Sequence, residues 1–288
     1  MDGLISQPHI SHRRNSHRPS HLGAIAILIA AALFAMFVAG CGKKSSTATS
    51  TSQTPGASGT SSTAAPSGTP SPQAAQLLKD SAKATGDLRS LHVVLATDNI
   101  TTLPMESVDA DVTNQPEGQA QAVGNATVRM KPNTPAVAKS FLVTNKTMYT
   151  KDDSGKYNSV GPAEKIYDPG VVLSKDKGLG SVIGKVQNPQ IAGNETINGI
   201  ATVKVTGTID AAVIDPVVPQ LGKGGGTLPI TLYIVDVNAA GASTTATSGS
   251  PAPAPAPNLV RMVVDKDPGH VTITLSNWGQ PVSIPKPG

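Results

Sequence analysis

The single cysteine of the chain is the residue whose type and surroundings most clearly predict a covalent reaction. Cys41 directly follows Val38, Ala39 and Gly40, which are an aliphatic residue and two small ones. A cysteine sulfur is a nucleophile once it loses its proton. One cysteine cannot form an internal disulfide, and it excludes a zinc or iron–sulfur site built from several cysteines.

The residues before Cys41 have the parts of an export signal, which we place at residues 1–40. Arg13, Arg14 and Arg18 form a positive region, and the apolar stretch Leu22–Phe37 follows it. That stretch has 16 residues. A membrane-spanning helix usually needs about 20, so we interpret the stretch as the core of a signal.

The four residues Val38–Cys41 resemble the lipobox of bacterial lipoproteins, in which the signal is cut before the cysteine and its sulfur takes a diacylglycerol. The new amino group is often acylated as well. Stable anchoring needs at least two buried chains, at about 0.8 kcal/mol per methylene. We therefore expect export by the general secretory route and a lipid anchor on Cys41 at the outer face of the cytoplasmic membrane.

Residues 41–72 have the composition of a tether. After Cys41, the run Gly42–Pro72 consists almost entirely of Ser, Thr, Ala, Pro and Gly, and its charges are Lys43 and Lys44. Such a segment cannot bury enough apolar surface to offset the entropy lost on ordering. We expect a disordered, membrane-proximal linker.

The charge of the remaining chain argues against nucleic acid as a partner. From Cys41 onward the sequence has 20 Lys and Arg against 18 Asp and Glu. A nucleic-acid interface requires clustered basic residues, and the sequence has no such cluster.

Residues 73–288 have the periodicities of a sheet with a few helices. A first helix is predicted at Gln73–Gly86, with Ser71 as its cap and Pro72 at its first position. Alternating apolar residues and turn signals predict strands over the remainder. The predicted strands are Leu91–Leu95, Val108–Thr113, Gln121–Met130, Val137–Thr144, Met148–Thr150, Lys156–Asn158, Gln190–Ile197, Ile200–Ile209, Leu228–Ile234, Val260–Val264 and Val271–Leu275.

Three further helical segments are predicted, all of them short. One begins at Asp168-Pro169. Another has an apolar stripe at Leu179, Val182, Ile183 and Val186 and is expected to end at Asn188-Pro189. The third, Asp210–Leu221, contains two prolines, and Asp215 is placed to cap a new turn at Pro216.

The predicted fold class is α+β, an antiparallel sheet with one apolar and one polar face whose apolar face is covered by the short helices. Turn signals support this at Asn198-Gly199 and at Asp267–Gly269. The pattern does not decide between two arrangements of the apolar face. It can be an ordinary packed core of aliphatic residues, or it can enclose an apolar cavity.

No constellation in the sequence predicts an enzyme, a metal site or a cofactor. His92 and His270 are the histidines after Cys41, and a nucleophile elbow of the G-x-S-x-G type is absent. The run Gly222–Thr227 lies between a helix and a strand, which is the reverse of a phosphate loop. We interpret it as a flexible connector.

Several stretches together resemble the mycobacterial LppX/LprAFG lipoproteins. They are Leu77–Lys79, Leu88–His92, Val186–Pro189, Gly193–Gly199, Val203–Ile209, Val271–Gly279 and Pro281-Val282. The resemblance covers about residues 73–288. It implies a half-barrel, that is, a strongly curved antiparallel sheet with helices on its concave side, and a cavity there that takes the acyl chains of glycolipids.

The resemblance also implies a function that needs no catalytic residue, the carriage of acylated lipids or glycolipids between the cytoplasmic membrane and the outer cell envelope. A membrane lipid transporter is a candidate partner. The alternative is a structural or adhesive envelope lipoprotein with a filled core and no ligand. The chain departs from the family at residues 238–258, where a low-complexity run joins two strands that family members join tightly.

If the chain carries lipid, the lining of the cavity is expected to come from apolar residues of the sheet and of its helical cover. The candidates are Leu91, Val93, Leu95, Val182, Ile183, Val186, Val203, Val205, Val213, Val217, Ile230, Leu232, Met262 and Ile273.

Overall fold

A computed structural model describes residues 71–129, 131, 134–239 and 256–287. Residues 1–70, which include Cys41 and nearly all of the expected tether, lie outside these ranges, and so does most of the 238–258 run. Within the described ranges the chain forms a single sheet of eleven strands. They are β1 Ser90–Asp98, β2 Met105–Thr113, β3 Gln121–Val128, β4 Val137–Thr144, β5 Thr147–Lys151, β6 Tyr157–Pro162, β7 Gln187–Ile197, β8 Ile200–Asp210, β9 Thr227–Val235, β10 Leu259–Lys266 and β11 Gly269–Ser276.

The sheet is open, curved and antiparallel throughout, and its strand order is β6-β5-β4-β3-β2-β1-β11-β10-β9-β8-β7. It therefore consists of two meanders, β1–β6 and β7–β11, which join where β1 pairs with β11. The edge strands β6 and β7 are consecutive in sequence. The chain between them supplies most of the helices that cover the concave face.

The helices are α1 (Pro72–Gly86), α2 (Ala163–Ile166), a 3₁₀ helix (Pro169–Leu173), α3 (Leu179–Gly184) and α4 (Ala211–Ile214). The first begins as its sequence predicts, because the Ser71 side chain accepts a hydrogen bond from the Ala74 N–H and a proline occupies the first turn. The Asp168 side chain caps the 3₁₀ helix in the same way, through the Gly170 N–H.

Helix α3 lies directly against α1 because of one glycine. A Cβ atom on Gly180 would come within 2.8 Å of the Ala82 carbonyl oxygen and of the Gly86 backbone. This contact distance admits only a hydrogen at that position. The two helices therefore pack as a pair over the concave face.

All eleven predicted strands are present, but two of the helix predictions are wrong in extent. Helix α3 ends at Gly184 rather than at Asn188-Pro189, and these two residues lie in β7. Pro189 is accommodated because β7 is an edge strand, where one side of the backbone forms no ladder. A register shift between Gln187 and Gln190 and the positive φ of Asn188, 51°, mark the irregularity.

The predicted helix Asp210–Leu221 is confined to α4, which the Asp210 side chain caps through the Ala212 N–H. Asp215 does not cap a new helix at Pro216, because its carboxylate instead accepts the Gly222 N–H at 2.9 Å. The prolines at 216 and 219 lack the N–H donors that a continuous helix requires.

The side chains of the concave face and of the helices form one buried aliphatic core. It includes Ala74 and Leu78 of α1, Leu179 of α3 and Ile214 of α4 together with side chains from the sheet. A smaller cluster around Tyr233 and Val260 is separate from it. The fold is thus the predicted α+β arrangement, with short helices on the concave apolar face.

Candidate functional site

The sheet register brings predicted lining residues from five strands into one row. Leu95 pairs with Ile273, Ile273 with Met262, Met262 with Leu232, and Leu232 with Val205. Each of these side chains is 5% exposed or less. The row therefore crosses the centre of the concave face as a continuous aliphatic strip.

The other predicted residues extend this strip and cover it. Leu91 and Val93 continue along β1, Ile230 lies on β9, and Val203 pairs with Ile234 at the far side. Val182 and Ile183 of α3 belong to the same core, as do Val213 and Val217. Val186 follows α3 and packs against the core from the side.

Most of the fourteen predicted lining residues are buried from solvent. Val186, Val203 and Val213 are partly buried, and the other eleven predicted residues are buried. Side chains of the helices thus occupy the space above the strip.

The apolar surface is less covered at one margin, formed by β2, β3 and β4. Val108 and Phe141 pack against the core but remain partly exposed. Val128 pairs with Val137, whose exposure is 44%. At this margin the apolar face reaches the surface.

Residues 211–226, which we call the cover segment, form part of the cover over the concave face. It contributes four large buried aliphatic side chains, those of Ile214, Val217, Val218 and Leu221. It ends in Gly224, Gly225 and Gly226, which all have positive φ angles, between 67° and 102°. Such a conformation is costly for other residues, so glycines are required at this point of the chain, directly before β9.

Two side chains from outside the cover segment hold it through its backbone carbonyls. The Tyr167 hydroxyl donates to the Val217 carbonyl at 2.9 Å. The Lys266 ammonium donates to the Lys223 carbonyl at 2.7 Å and also to the Leu221 carbonyl. Burial raises the pKa of Tyr167 above its usual range, with the Asp168 carboxylate adding to the effect, so this hydroxyl remains a donor at any physiological pH.

Sequence reasoning missed both of these residues. Tyr167 precedes the Asp168-Pro169 cap, and Lys266 precedes the Asp267–Gly269 turn, but neither position has a local pattern that indicates a partner. Their hydrogen bonds span 50 and 43 residues of sequence. Only the tertiary structure brings donor and acceptor together.

The histidines have carboxylate neighbours. His92 Nδ1 lies 2.9 Å from Asp111 Oδ1, and its Nε2 lies 3.6 Å from Asp109 Oδ1. His270 lies 3.9 Å from Asp98. Among the described residues there is no group of three or more His, Cys, Asp or Glu side chains placed to bind a metal ion. In the same residues, no helix has the length and apolar character needed to span a membrane.

The fold and the concave face define a class, that of α+β proteins whose curved antiparallel sheet holds an aliphatic core beneath short helices. Within that class the match is specific: the model of the LppX_LprAFG lipoprotein family matches residues 73–284. The chain belongs to this family.

Several relatives show how close the relationship is. The chain is 65% identical over 287 residues to a Mycobacterium tuberculosis protein named "Putative diacylated glycolipid transporter LprF", covering 100% of this chain and 99% of that one. It is 30% identical over 221 residues to the "Lipoarabinomannan carrier protein LprG" of Mycolicibacterium hassiacum, covering 75% and 85% of the two chains.

Solved structures agree. The crystal structure of LprF from Mycobacterium bovis has a TM-score of 0.70 at 69% identity and covers 76% of this chain and 99% of its own. The structure of Mycobacterium tuberculosis LppX has a TM-score of 0.51 at 24% identity, with 74% and 99% covered. The second likeness concerns the fold alone.

Proposed function

We propose that this protein is a membrane-anchored carrier that binds the acyl chains of lipids or glycolipids on the concave face of its sheet and moves them between the cytoplasmic membrane and the outer cell envelope. The observation that carries the proposal is the 65% identity, along the whole chain, to relatives named as diacylated glycolipid transporters. The anchor is the lipidated Cys41, with residues 41–72 as the tether of the domain 73–288.

The chemistry of the concave face supports this ligand class. The strip from Leu95 to Val205 consists of aliphatic side chains and a methionine, which offer dispersion contacts and no strong hydrogen bond. Such a surface favours saturated hydrocarbon and rejects polar groups, since a buried polar group without a partner is costly. The acyl chains would therefore lie inside and the headgroup outside, next to the margin at Val137.

Entry of a chain requires displacement of side chains that now fill the core. We infer that the cover segment moves, because the three glycines at its C-terminal end have the conformational freedom that such a movement requires. Exposing its four aliphatic side chains costs roughly 6–12 kcal/mol, at about 1.5–3 kcal/mol each. While the lipid is out of the bilayer, an acyl chain of about 14 methylenes held in the core instead of in water returns about 11 kcal/mol, at about 0.8 kcal/mol per methylene.

The burial of one acyl chain therefore only offsets the free-energy cost of opening the cover segment, and the burial of a second chain makes binding favourable. This comparison predicts a preference for lipids with two or more chains over single-chain lipids. A structural or adhesive lipoprotein without ligand is the second candidate, and the closed packing of the eleven buried residues is the observation that favours it.

The experiment that separates the two candidates is photo-crosslinking in vesicles. The full chain is reconstituted with a diacyl glycolipid that has a diazirine at the end of one acyl chain, and labelled peptides are identified by mass spectrometry. We expect labels on concave-face peptides, including those containing Leu232 and Met262. The matched single-chain probe should label these peptides far less.

Two results would contradict the carrier. Labelling confined to peptides that precede residue 73 would place the probe in the bilayer and not in the domain. Equal labelling by the diacyl and single-chain probes would contradict the proposal that binding displaces the cover segment.

A further inference from the structure

A polar groove lies on the opposite, convex face of the sheet, over β2, β3 and β4. Its volume is about 280 Å³, and it lies on the face away from the helices. Most of its lining side chains share one face of the sheet, because Ser107 pairs with Thr127, Asp109 with Asn125, and Asn125 with Ser140. The aliphatic core and the groove are thus separated by the sheet itself.

The groove lies where β2 and β3 approach each other closely. Gly124 of β3 faces the concave side, where a Cβ would lie 2.2 Å from the Asp109 carbonyl oxygen and 2.6 Å from the Ala110 Cβ. The convex residues there are small, among them Thr127, Ala138 and Ser140, so the space between them stays open.

The polar groups in the groove are arranged for hydroxyl ligands. The Ser140 hydroxyl donates to Asn125 Oδ1 at 2.7 Å, which fixes the side-chain amide and assigns its N–H groups as the donors that remain. Asp109 supplies carboxylate acceptors beside them, and the Ser107 and Thr127 hydroxyl groups belong to the same lining. Hydroxyl and amide donors beside a carboxylate acceptor in one small groove match a neutral ligand that has several hydroxyl groups.

Aromatic side chains border the same face. Tyr149 pairs with Leu142, two residues from Ser140, which places it at diagonal-neighbour distance, about 7–8 Å. Tyr157 lies one strand further, with the Lys151 ammonium 5.6 Å from its ring centroid. Both tyrosines are partly exposed, so each offers an apolar ring and a hydroxyl.

We propose that this convex groove is a second binding site, for a sugar ring of a neutral glycan, with Asp109, Asn125 and Ser140 as hydrogen-bonding residues and Tyr149 as the neighbouring aromatic surface. The site lies on the other face of the sheet from the acyl-chain strip, and the inference does not rest on lipid binding. A groove of this size holds one ring, which predicts millimolar affinity for a monosaccharide.

The test uses NMR spectra of the ¹⁵N-labelled full chain in a detergent without a sugar headgroup. Methyl α-D-glucopyranoside and methyl α-D-mannopyranoside are the neutral probes, and inorganic phosphate is the charged one. We expect saturable shifts from at least one sugar, confined to amides of residues 107–109, 125–127 and 138–140. The double variant Asn125→Ala, Ser140→Ala should abolish them, whereas Thr206→Ala, a polar substitution on β8, should leave them unchanged.

Three results would overturn the proposal: no sugar shifts at millimolar concentrations, shifts that persist in the double variant, or phosphate binding in place of sugar. Crosslinking of the diacyl probe is measured on the same variants. It should be unaffected by the groove substitutions, so failure of the sugar site and failure of the lipid site are distinguishable.

Discussion

Val203 is the residue at which the acyl-chain proposal can be tested with least damage to the fold. It pairs with Ile234 on the concave side of β8 and packs against the core while remaining partly exposed. Its neighbour Thr202 is fully buried, and its hydroxyl donates to the Glu195 carbonyl at 2.6 Å. A larger side chain at 203 can extend over the strip, whereas one at 202 would break the β7–β8 contact.

We expect Val203→Trp to reduce crosslinking of the diacyl probe at least severalfold, because the indole occupies the space that an acyl chain needs. Overpacking should lower the free energy of unfolding by about 1–3 kcal/mol. Thr206→Trp, three residues along the same strand, is the matched control and should retain labelling. Normal labelling of folded Val203→Trp would show that the chain binds elsewhere.

At the scale of elements, the cover segment combines strong burial with few polar attachments. Its four large buried side chains resist opening, while Tyr167 and Lys266, both distant in sequence, donate hydrogen bonds to its backbone carbonyls. A charged donor to a carbonyl contributes about 1.5–3 kcal/mol, less where the group is partly exposed. Removal of one such donor should therefore lower the free energy of opening the cover segment more than it lowers the stability of the sheet.

We expect Lys266→Met, which keeps the aliphatic stem, to speed hydrogen exchange at the amides of Val217, Val218 and Leu221 by about tenfold, equivalent to about 1.4 kcal/mol. Uptake of the diacyl probe should become faster. Lys204→Met is the control, since that ammonium lies over the Tyr233 ring, 5.5 Å from its centroid. Unchanged exchange in these three amides would mean that Lys266 does not hold the segment.

At the scale of the molecule, the proposed function depends on a domain that exchanges lipid while tied to a membrane. The family relationship supports an envelope lipoprotein. The two proposed binding sites lie on opposite faces of the sheet, with acyl chains on the concave face and a glycan on the convex face. The proposed covalent anchor at Cys41 would keep the domain at the cytoplasmic membrane, where the lipid is taken up.

We expect Cys41→Ser to prevent diacylglycerol transfer, so that the intact mass lacks the lipid and cleavage before residue 41 fails. The matched variant Ser46→Ala, within the tether, should be lipidated and membrane-bound. Intact mass spectrometry of the membrane fraction measures both. A Cys41→Ser protein with the same mature N-terminus as the wild type would contradict the lipobox interpretation.

Local patterns predicted the strands well because each alternates apolar and polar residues and ends at a turn residue. Asn198-Gly199 is one case, with φ angles of 50° and 80° that suit a tight hairpin. The helices were predicted less well. The apolar stripe that continues to Val186 fits a helix, but the chain leaves α3 at Gly184 because Gln187 pairs with Thr208 of β8.

Nine of the fourteen candidate lining residues were chosen from strand alternation and five from the predicted helical cover, and the structure places all of them in or against one core. Sequence could not reveal how tightly the helices cover that core, because broken helical patterns suggest a loose cover. Nor could it reveal the convex groove, which depends on the close approach of two strands at Gly124.

The sequence by itself determined the class of fold, the apolar and polar faces of each strand and the expected lipid attachment, since these follow from periodicity and from a short local motif. The tertiary structure alone decided that β11 pairs with β1, that Tyr167 and Lys266 hold the cover segment, and that the core is closed. These depend on contacts between residues far apart in the chain, and no local pattern of side chains specifies which distant partner a residue will meet.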